Sequence, residues 1–425
     1  PVRHDFTYRV SLAIALCEGE ISGLGRMWAD GTEIAPSELS LRVYTGAMDQ
    51  LPDPKMEAVE GAGAVPAYRG TAYVVIEDLE LGAFGNRVPQ FEFEVLRPAP
   101  AAIGPHDPAR AVKAVAMMPG SGEYALATTR VTFDYGAGSV GVANVNSRSG
   151  LADFPTSLNQ LEASLPNCRN VSLIVSWFGD DLRCGSCQIR PGVEKTDREG
   201  TEMGWSVAGL SRGAAMQVPL VEGEPVYGGT PCDASVIEAL REMAARGMRV
   251  MYYPFILMTQ LAGNDLPDPW TGGTGQAHLP WRGRITGAVA PGVNGSPDQT
   301  AAAGAQVSTF FGTAAASDFS VGDGSVGYSG PAEWSYRRFI LHQAALCAAA
   351  GGVDAFCIGS EMVALTQLRD DQGFPAVAQL CALAAEVRVL LPEAKISYAA
   401  DWSEYFGYQP GNGDRYFHLD PLWAD

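Results

Sequence analysis

The sequence predicts an α+β multidomain protein, with an all-β module at its amino-terminal end and an α/β domain after it. Residues 1–97 contain short apolar segments separated by loops with Gly and Pro, which is typical of a sandwich or barrel-like module. From about residue 153, strand and helix patterns alternate, and the strands are continuous apolar runs. Such strands indicate a parallel sheet covered by helices. A chain of 425 residues also exceeds the usual size of one compact core.

Local patterns predict the elements of the first module. In residues 6–16 apolar side chains alternate with smaller or polar ones, which gives a strand with one buried face. Asp30-Gly31 lies between two such segments and is typical of a two-residue hairpin turn. Residues 98–152 are rich in Ala, Pro and Gly, and we expect a connecting region there. Further strands are predicted at Leu41–Tyr44, Ala72–Glu77 and Gln90–Leu96.

Helical faces and apolar runs predict the second domain, at residues 153–425. Asp233 is expected to cap a helix over Ala234–Arg246, with Gly247 just past its end. Residues 259–330 are a loop excursion or contain a strand and a helix around Ala301–Phe319. The other predicted helices begin near Phe154 and span Glu333–Ala350 and Ala376–Leu390, and the predicted strands are Val171–Phe178, Met248–Leu257, Val353–Gly359 and Lys395–Ala400.

Charge and composition exclude several classes of function. The formal net charge is −19, whereas surfaces that bind nucleic acid or anionic membranes need clustered Lys and Arg. No window approaches 18 uninterrupted apolar residues, and no signal-peptide pattern is present. The sequence begins at Pro1, and it ends at Asp425 soon after a strand-and-loop pattern. We therefore expect it to be part of a longer polypeptide, truncated within the second domain.

Motifs for metal, cofactor or nucleophile chemistry are weak or absent. Cys184-Gly-Ser-Cys187 is the only close pair of cysteines, and a single pair without a nearby His favours a disulfide or two ordinary thiols over zinc. The sequence has no GxSxG, HExxH or Walker A motif, and no GxGxxG after a strand. We predict neither a metal site nor a cofactor.

Glu361 is the first candidate for chemistry. It follows the apolar run of residues 353–360, and the carboxyl ends of barrel strands are where active sites are built. A carboxyl group held there against apolar neighbours can serve as a general acid. The alternative is that Glu361 caps or forms a salt bridge with the next helix.

Carboxylates and aromatic side chains follow the other predicted strands as well. A carbohydrate cleft needs both, because sugar C–H faces pack on aromatic rings and glycosidic cleavage uses a pair of carboxyl groups. Asp180 and Asp181 are equally consistent with turns or helix caps, and Trp402 with a structural plug of the barrel mouth. The substrate-binding candidates are Trp177, Asp180, Asp181, Tyr253, Asp401 and Trp402.

Long strings of residues resemble one known family. The segments of residues 67–79 and 84–95 are similar to the hub region of phage-tail proteins, above all to the very large tail-hub ("megatron") proteins of gene transfer agents. The segments of residues 175–184, 249–257 and 356–361 resemble the glycoside-hydrolase-like TIM-barrel domain of the same family. The resemblance covers nearly the whole chain.

This resemblance implies a baseplate hub in a phage-like virion. The hub would be made in the cytoplasm, form a homotrimer with tail and baseplate proteins at the tail tip, and act at the recipient cell envelope, with peptidoglycan as the natural glycan. Glu361 would match the acid/base of retaining glycosidases, and the nucleophile would come from beyond Asp425. One feature departs from that pattern, since only three clear strands precede Glu361 instead of four. The barrel is therefore either a retaining glycoside hydrolase, or a structural or receptor-binding module without turnover.

Overall fold

The computed structural model describes residues 8–97 and 107–424. The chain divides into two compact units, each formed from two segments. The first unit comprises Pro1–Val115 and Asn144–Arg169, and the second comprises Ala116–Ala143 and Asn170–Asp425. The predicted domain boundaries at residues 97 and 152 therefore differ from the boundaries between these two units.

The first unit contains two antiparallel three-stranded sheets, with strand orders β1-β5-β4 and β3-β2-β6. Asp30 and Gly31 have φ angles of 49° and 75°, as a hairpin of type I′ requires, so the predicted turn between β2 and β3 is confirmed. The predicted strand of residues 6–16 begins outside the described residues. The strands are β1 (Arg9–Glu18), β2 (Gly23–Ala29), β3 (Thr32–Ile34), β4 (Ser40–Tyr44), β5 (Thr71–Glu80) and β6 (Phe91–Leu96).

Helices also belong to the first unit, and one of them lies within residues 8–97, so that segment is not purely β. Helix α1 (Pro54–Glu60) is capped by Asp53, whose Oδ1 accepts hydrogen bonds from the amides of Lys55 and Met56 at 2.8 and 3.0 Å. A short helix, α2 (Pro108–Ala111), follows. Helix α3 (Asp153–Ser164) was expected in the barrel domain but belongs to this unit.

The second unit is organised around one sheet in the order β7-β10-β18-β21-β22. Strands β10, β18, β21 and β22 run parallel, and β11 pairs antiparallel with the end of β10. The sheet strands are β7 (Ala114–Gly120), β10 (Asn170–Gly179), β11 (Ile189–Arg190), β18 (Arg249–Met258), β21 (Ala355–Ser360) and β22 (Lys395–Ala399). Short pairs complete the strands: β8 (Thr132–Gly136), β9 (Ser139–Val142), β12 (Gly192–Val193), β13 (Ser206–Val207), β14 (Leu210–Ser211), β15 (Met216–Gln217), β16 (Leu220–Val221), β17 (Glu224–Pro225), β19 (Phe319–Gly322) and β20 (Ser325–Tyr328).

Helices alternate with the parallel strands, as the sequence predicts. Helix α6 is buried over most of its surface and packs against α4 and α8. The cap of α4 is Cys232, and Asp233 lies in the first turn, so the predicted cap was one residue late. The excursion of residues 259–330 does contain a helix, together with two short strands, β19 and β20. The helices are α4 (Asp233–Ala245), α5 (Ala301–Phe311), α6 (Tyr336–Ala350), α7 (Val363–Thr366), α8 (Pro375–Leu390) and α9 (Asp420–Trp423).

Strand β7 accounts for the missing strand before Glu361. It pairs with the edge of β10 that faces away from β18, so β21 is the fourth strand along the sheet. The sequence placed residues 114–120 in a connecting region, because the run is short and lies beside segments rich in Pro and Gly. With β7 included, Glu361 follows the fourth strand.

Candidate functional site

Glu361 directly follows β21 in a left-handed backbone conformation, with φ of 51°. Residues other than Gly adopt this region only at a cost of about 1–3 kcal/mol, and such strain clusters at functional sites. The Glu361 amide donates a 2.9 Å hydrogen bond to the carbonyl oxygen of Ala399 on β22. The two neighbouring strand ends therefore fix the position of this peptide.

The Glu361 carboxylate is held through one oxygen. Arg282 Nη2 donates to Oε2 at 2.6 Å, and the Trp281 indole donates to the same atom at 3.1 Å. Among the described residues, Oε1 accepts no hydrogen bond, and the side chain is 36% exposed. The carboxylate is thus anchored at one oxygen and open to a ligand at the other.

Arg282 lies beneath this carboxylate and is only 5% exposed. Its Nε and Nη2 donate to the carbonyl and hydroxyl oxygens of Ser360 at 3.0 and 2.7 Å. The guanidinium carbon lies 3.8 Å from the ring centre of Phe255, a cation–π contact from the neighbouring strand. These hydrogen bonds and the packed ring hold the Arg282 guanidinium in place, and no sequence pattern indicates its role.

Gly283 allows the loop to approach Glu361 closely. A Cβ atom at residue 283 would lie 2.7 Å from the carbonyl oxygen of Glu361 and 2.5 Å from the Trp281 ring, which is closer than real Cβ contacts. Burial raises the pKa of the hydroxyl of Tyr253, a predicted site residue, and the Ser360 side chain opposes this shift. Tyr253 therefore lies beside the candidate site, one residue from the Glu361 peptide.

The prediction that Trp177 lines a cleft is wrong. Its side chain is 0% exposed, and its ring centre lies 5.1 Å from that of Phe339 and 5.5 Å from that of His342, both on α6. Both faces of a parallel sheet are covered by other layers, so a Trp near a strand end faces a helix as readily as an opening. Trp177 is a core residue.

The two aspartates after β10 are engaged in local structure. Asp181 is buried, forms a 2.6 Å ion pair with Arg183, and accepts a 2.7 Å hydrogen bond from the Gln276 amide. Asp180 is exposed, and its Oδ1 accepts a 2.8 Å hydrogen bond from the Gln188 amide nitrogen. The prediction that Asp181 binds substrate is therefore wrong, because its buried carboxylate is already bound to Arg183 and Gln276.

The loop after β22 carries the other two predicted residues. Asp401 accepts hydrogen bonds from the Ser403 amide and hydroxyl at 2.9 and 2.5 Å, as a turn-forming residue does. Trp402 is 74% exposed, and its ring centre lies 6.3 Å from that of Phe406. Trp402 is consequently available to a ligand and does not plug the sheet.

Glu404 is a buried carboxylate, 2% exposed, that the sequence does not predict as part of the site. Its carboxylate accepts hydrogen bonds from the Thr366 hydroxyl at 2.8 Å, the Tyr398 hydroxyl at 3.1 Å and the Asp401 amide at 2.8 Å. Burial raises the pKa of the carboxyl, against the opposing effect of these donors. The spacing of apolar residues predicts which apolar side chains are buried, but it does not predict a buried polar group such as this one.

The described residues provide no metal centre and no spanning helix. No group of three or more His, Cys, Asp or Glu side chains in residues 8–97 and 107–424 could hold a metal ion. Cys184 and Cys187 are buried free thiols, and burial raises the pKa of Cys184 to about 12. Across the same ranges, no helix is both long and apolar enough to cross a membrane.

Comparison with protein families identifies the region around Glu361. Residues 334–425 match the model of the family described as GTA TIM-barrel-like domain. The carboxy-terminal part of the chain is therefore similar to a GTA TIM-barrel-like domain. The resemblance to proteins of gene transfer agents (GTAs) is thereby confirmed for this region, which includes Glu361, Trp402 and Glu404. Arg282 and Trp281 lie outside the matched residues, so the site also draws on the segment that precedes the matched domain.

Solved structures provide two further comparisons. A protein in the virion of a native GTA particle is 62% identical over 27% of this chain, with a TM-score of 0.25. The match also covers 27% of that protein's length, or about a quarter of it. A GH113 β-1,4-mannanase is 16% identical over 60% of this chain and 57% of its own, with a TM-score of 0.27, too low to transfer fold or activity. No curated protein matches the sequence.

Proposed function

We propose that this chain is a baseplate or tail-hub component of a phage-like gene transfer particle, and that its barrel domain binds cell-envelope glycan at Glu361. The particle role rests on the GTA TIM-barrel-like match and on the 62% identity to a GTA virion protein. The glycan role rests on one observation. The carboxylate of Glu361, at the end of the fourth strand, is partly exposed on a strained backbone and lies beside the exposed Trp281.

The chemistry of the Glu361 site suits a sugar. Glu361 Oε1 can accept a hydrogen bond from a sugar hydroxyl, because its hydrogen bonds from protein donors fall on Oε2. The Trp281 ring is 42% exposed beside it, and the C–H face of a pyranose packs on such a ring. Peptidoglycan is the envelope polymer that offers such sugars to an arriving particle.

Retention of the whole protein by purified peptidoglycan sacculi tests this proposal. We expect the wild type to sediment with sacculi, and Trp281→Ala and Glu361→Gln to sediment less. Tyr135→Ala is the matched control, because Tyr135 is also an exposed aromatic residue but lies on β8. Absence of wild-type retention, or equal retention of wild type and Trp281→Ala, would refute glycan binding at this site.

A second candidate function is glycan cleavage, favoured by the place of Glu361 after the fourth strand, where the family resemblance puts an acid/base. Retaining cleavage needs two carboxyl groups about 5–5.5 Å apart. We expect an active enzyme to release new reducing ends from sacculi, and Glu361→Gln to abolish the release. Binding by the wild type without any release would leave the binding or structural role in place.

Assembly follows from the same proposal. We propose a homotrimer that contacts other tail and baseplate proteins at the tail tip, is made in the cytoplasm and acts at the recipient envelope. Sedimentation of the purified chain should show self-association, and antibodies against it should label particle tails at the tip. A stable monomer at micromolar concentration, or label along the tail shaft, would contradict this assembly.

A further inference from the structure

We propose that Glu404 is a positioning residue for glycan binding: from a buried site it holds both the strand end that carries Glu361 and the loop that carries Trp402. This inference rests on the proposed function, because it assumes that the Glu361 site takes a glycan. Glu404 itself is 2% exposed, so we do not expect it to contact the glycan directly.

The connection to Glu361 passes through Tyr398 on β22. The Tyr398 hydroxyl donates to the Glu404 carboxylate, with its two oxygens at 3.1 and 3.3 Å, and accepts a 2.8 Å hydrogen bond from the Met362 amide. The preceding amide, that of Glu361, is bound to Ala399 on the same strand. Both amides that flank the strained Glu361 Cα are therefore held by β22, and Glu404 fixes the hydroxyl that holds one of them.

The connection to Trp402 is shorter. The Asp401 amide donates to Glu404 Oε2 at 2.8 Å, and the Glu404 amide donates to the Asp401 carbonyl at 2.9 Å. Residues 401–404 thus form one closed turn, with Trp402 exposed on it. The position of the Trp402 ring depends on the carboxylate two residues later.

The arrangement is expensive for the fold. Within the described residues, no Lys, Arg or His side chain forms an ion pair with Glu404, so hydrogen bonds alone compensate its charge. Thr366 on α7 supplies the third donor, and the His418 ring lies 3.3 Å from the same hydroxyl. A buried carboxylate without a cation costs stability that an apolar side chain would not. A role in positioning Glu361 and Trp402, the exposed residues that would bind the glycan, explains why residue 404 is an acid.

Affinity of the whole protein for soluble peptidoglycan fragments, measured by calorimetry, tests the inference. Glu404→Gln keeps the shape of the side chain but replaces one accepting oxygen with a donor that faces donors, so we expect affinity to fall about fivefold to tenfold. Glu333→Gln is the matched control, because Glu333 also accepts four hydrogen bonds, from the amides and hydroxyls of Thr313, Ala314 and Ser335, away from Glu361. We expect its affinity to equal that of the wild type.

A double-mutant cycle distinguishes positioning from general damage to the fold. Tyr398→Phe removes the hydroxyl that joins Glu404 to Met362, so its loss of affinity should not add to that of Glu404→Gln. Additive losses, or wild-type affinity in Glu404→Gln, would overturn the inference while leaving glycan binding intact.

Amide exchange measured without glycan keeps the two proposals separate. In Glu404→Gln we expect faster exchange than in the wild type at the amides of Met362 and Asp401, and no change at those amides in Glu333→Gln. If the wild type binds no fragment, the proposed function fails, and exchange still decides whether Glu404 positions these residues. Unchanged exchange at both amides would overturn the positioning role.

Discussion

Arg282 Nη2 lies 2.6 Å from Glu361 Oε2. Glu361 lies within the residues that match the family model, whereas Arg282 lies before them in the chain. The guanidinium comes from the loop after β18, and the carboxylate comes from the end of β21. This ion pair joins the segment before the matched residues 334–425 to the strand end on which the proposed glycan site depends.

Removal of the Arg282 guanidinium should therefore destabilise the second unit. Arg282→Gln removes the guanidinium donors to Ser360 and leaves only the Trp281 indole donating to the Glu361 carboxylate, so we expect the free energy of unfolding to fall by about 1–3 kcal/mol. Urea denaturation measures this change. Arg87→Gln, which breaks the exposed pair with Asp30, is the control and should change stability by less than about 1 kcal/mol. Equal effects of the two variants would show that the buried pair contributes no more than a surface pair.

A methyl group at residue 283 should disturb the site without removing any polar group. In Gly283→Ala the new Cβ would meet the Glu361 carbonyl oxygen and the Trp281 ring, so the loop must move. We expect a shift of the tryptophan emission maximum and weaker retention by sacculi. Gly213→Ala is the control, because a Cβ there meets nothing within 4 Å. Wild-type emission and retention in Gly283→Ala would argue against close packing of this loop.

Trp177 and Trp402 should respond in opposite ways to substitution. Trp177→Ala removes a fully buried ring, so we expect stability to fall by about 3–5 kcal/mol. Trp402→Ala removes a ring that is 74% exposed, and we expect stability to change by less than about 0.5 kcal/mol while affinity for glycan falls. Thermal unfolding and calorimetry measure the two effects. Loss of stability in Trp402→Ala would contradict the exposed position of this ring.

Asp53 in the first unit should make stability depend on acid pH. Burial alone would raise the pKa of this carboxyl, but hydrogen bonds from Arg42, Tyr44 and the Met56 amide hold it at about 2. Because the pKa is lowered in the folded state, its stabilising contribution is present above the unfolded value of about 3.9 and is lost as pH falls toward 2. That contribution is about 2–3 kcal/mol.

Asp53→Asn tests this dependence because it retains an oxygen that can cap α1. We expect a smaller slope of unfolding free energy against pH between about 4 and 2 than in the wild type. Denaturation at a series of pH values measures the slope. Identical slopes for the two proteins would show that Asp53 is not responsible.

Most strands and helices could be predicted from the sequence, because their apolar residues recur with a clear period. The alternation in β1, the hairpin at Asp30-Gly31 and the apolar runs of β10 and β18 are local signals, and the structure has an element at each. Strand β7 was missed because its run is short and is defined only by pairing with β10, which begins 50 residues later.

The candidate site was predictable only in part. A carboxylate after an apolar run can be read locally, and Glu361 does lie at a strand end. Arg282 is 79 residues away in a Gly-rich loop, so no spacing relates the two residues before the fold brings them together. Trp177 was misplaced because an apolar strand in a parallel sheet does not reveal which covering layer its side chains face.

The division of the chain also determines when each unit can form during synthesis. The backbone passes from one unit to the other at residues 115–116, 143–144 and 169–170. The amino-terminal unit therefore cannot be completed on the ribosome until residue 169 has been made, by which time β7 has already emerged and waits for β10. A fragment that starts at residue 153 would lack the strand that covers the edge of β10, and would expose that edge to aggregation.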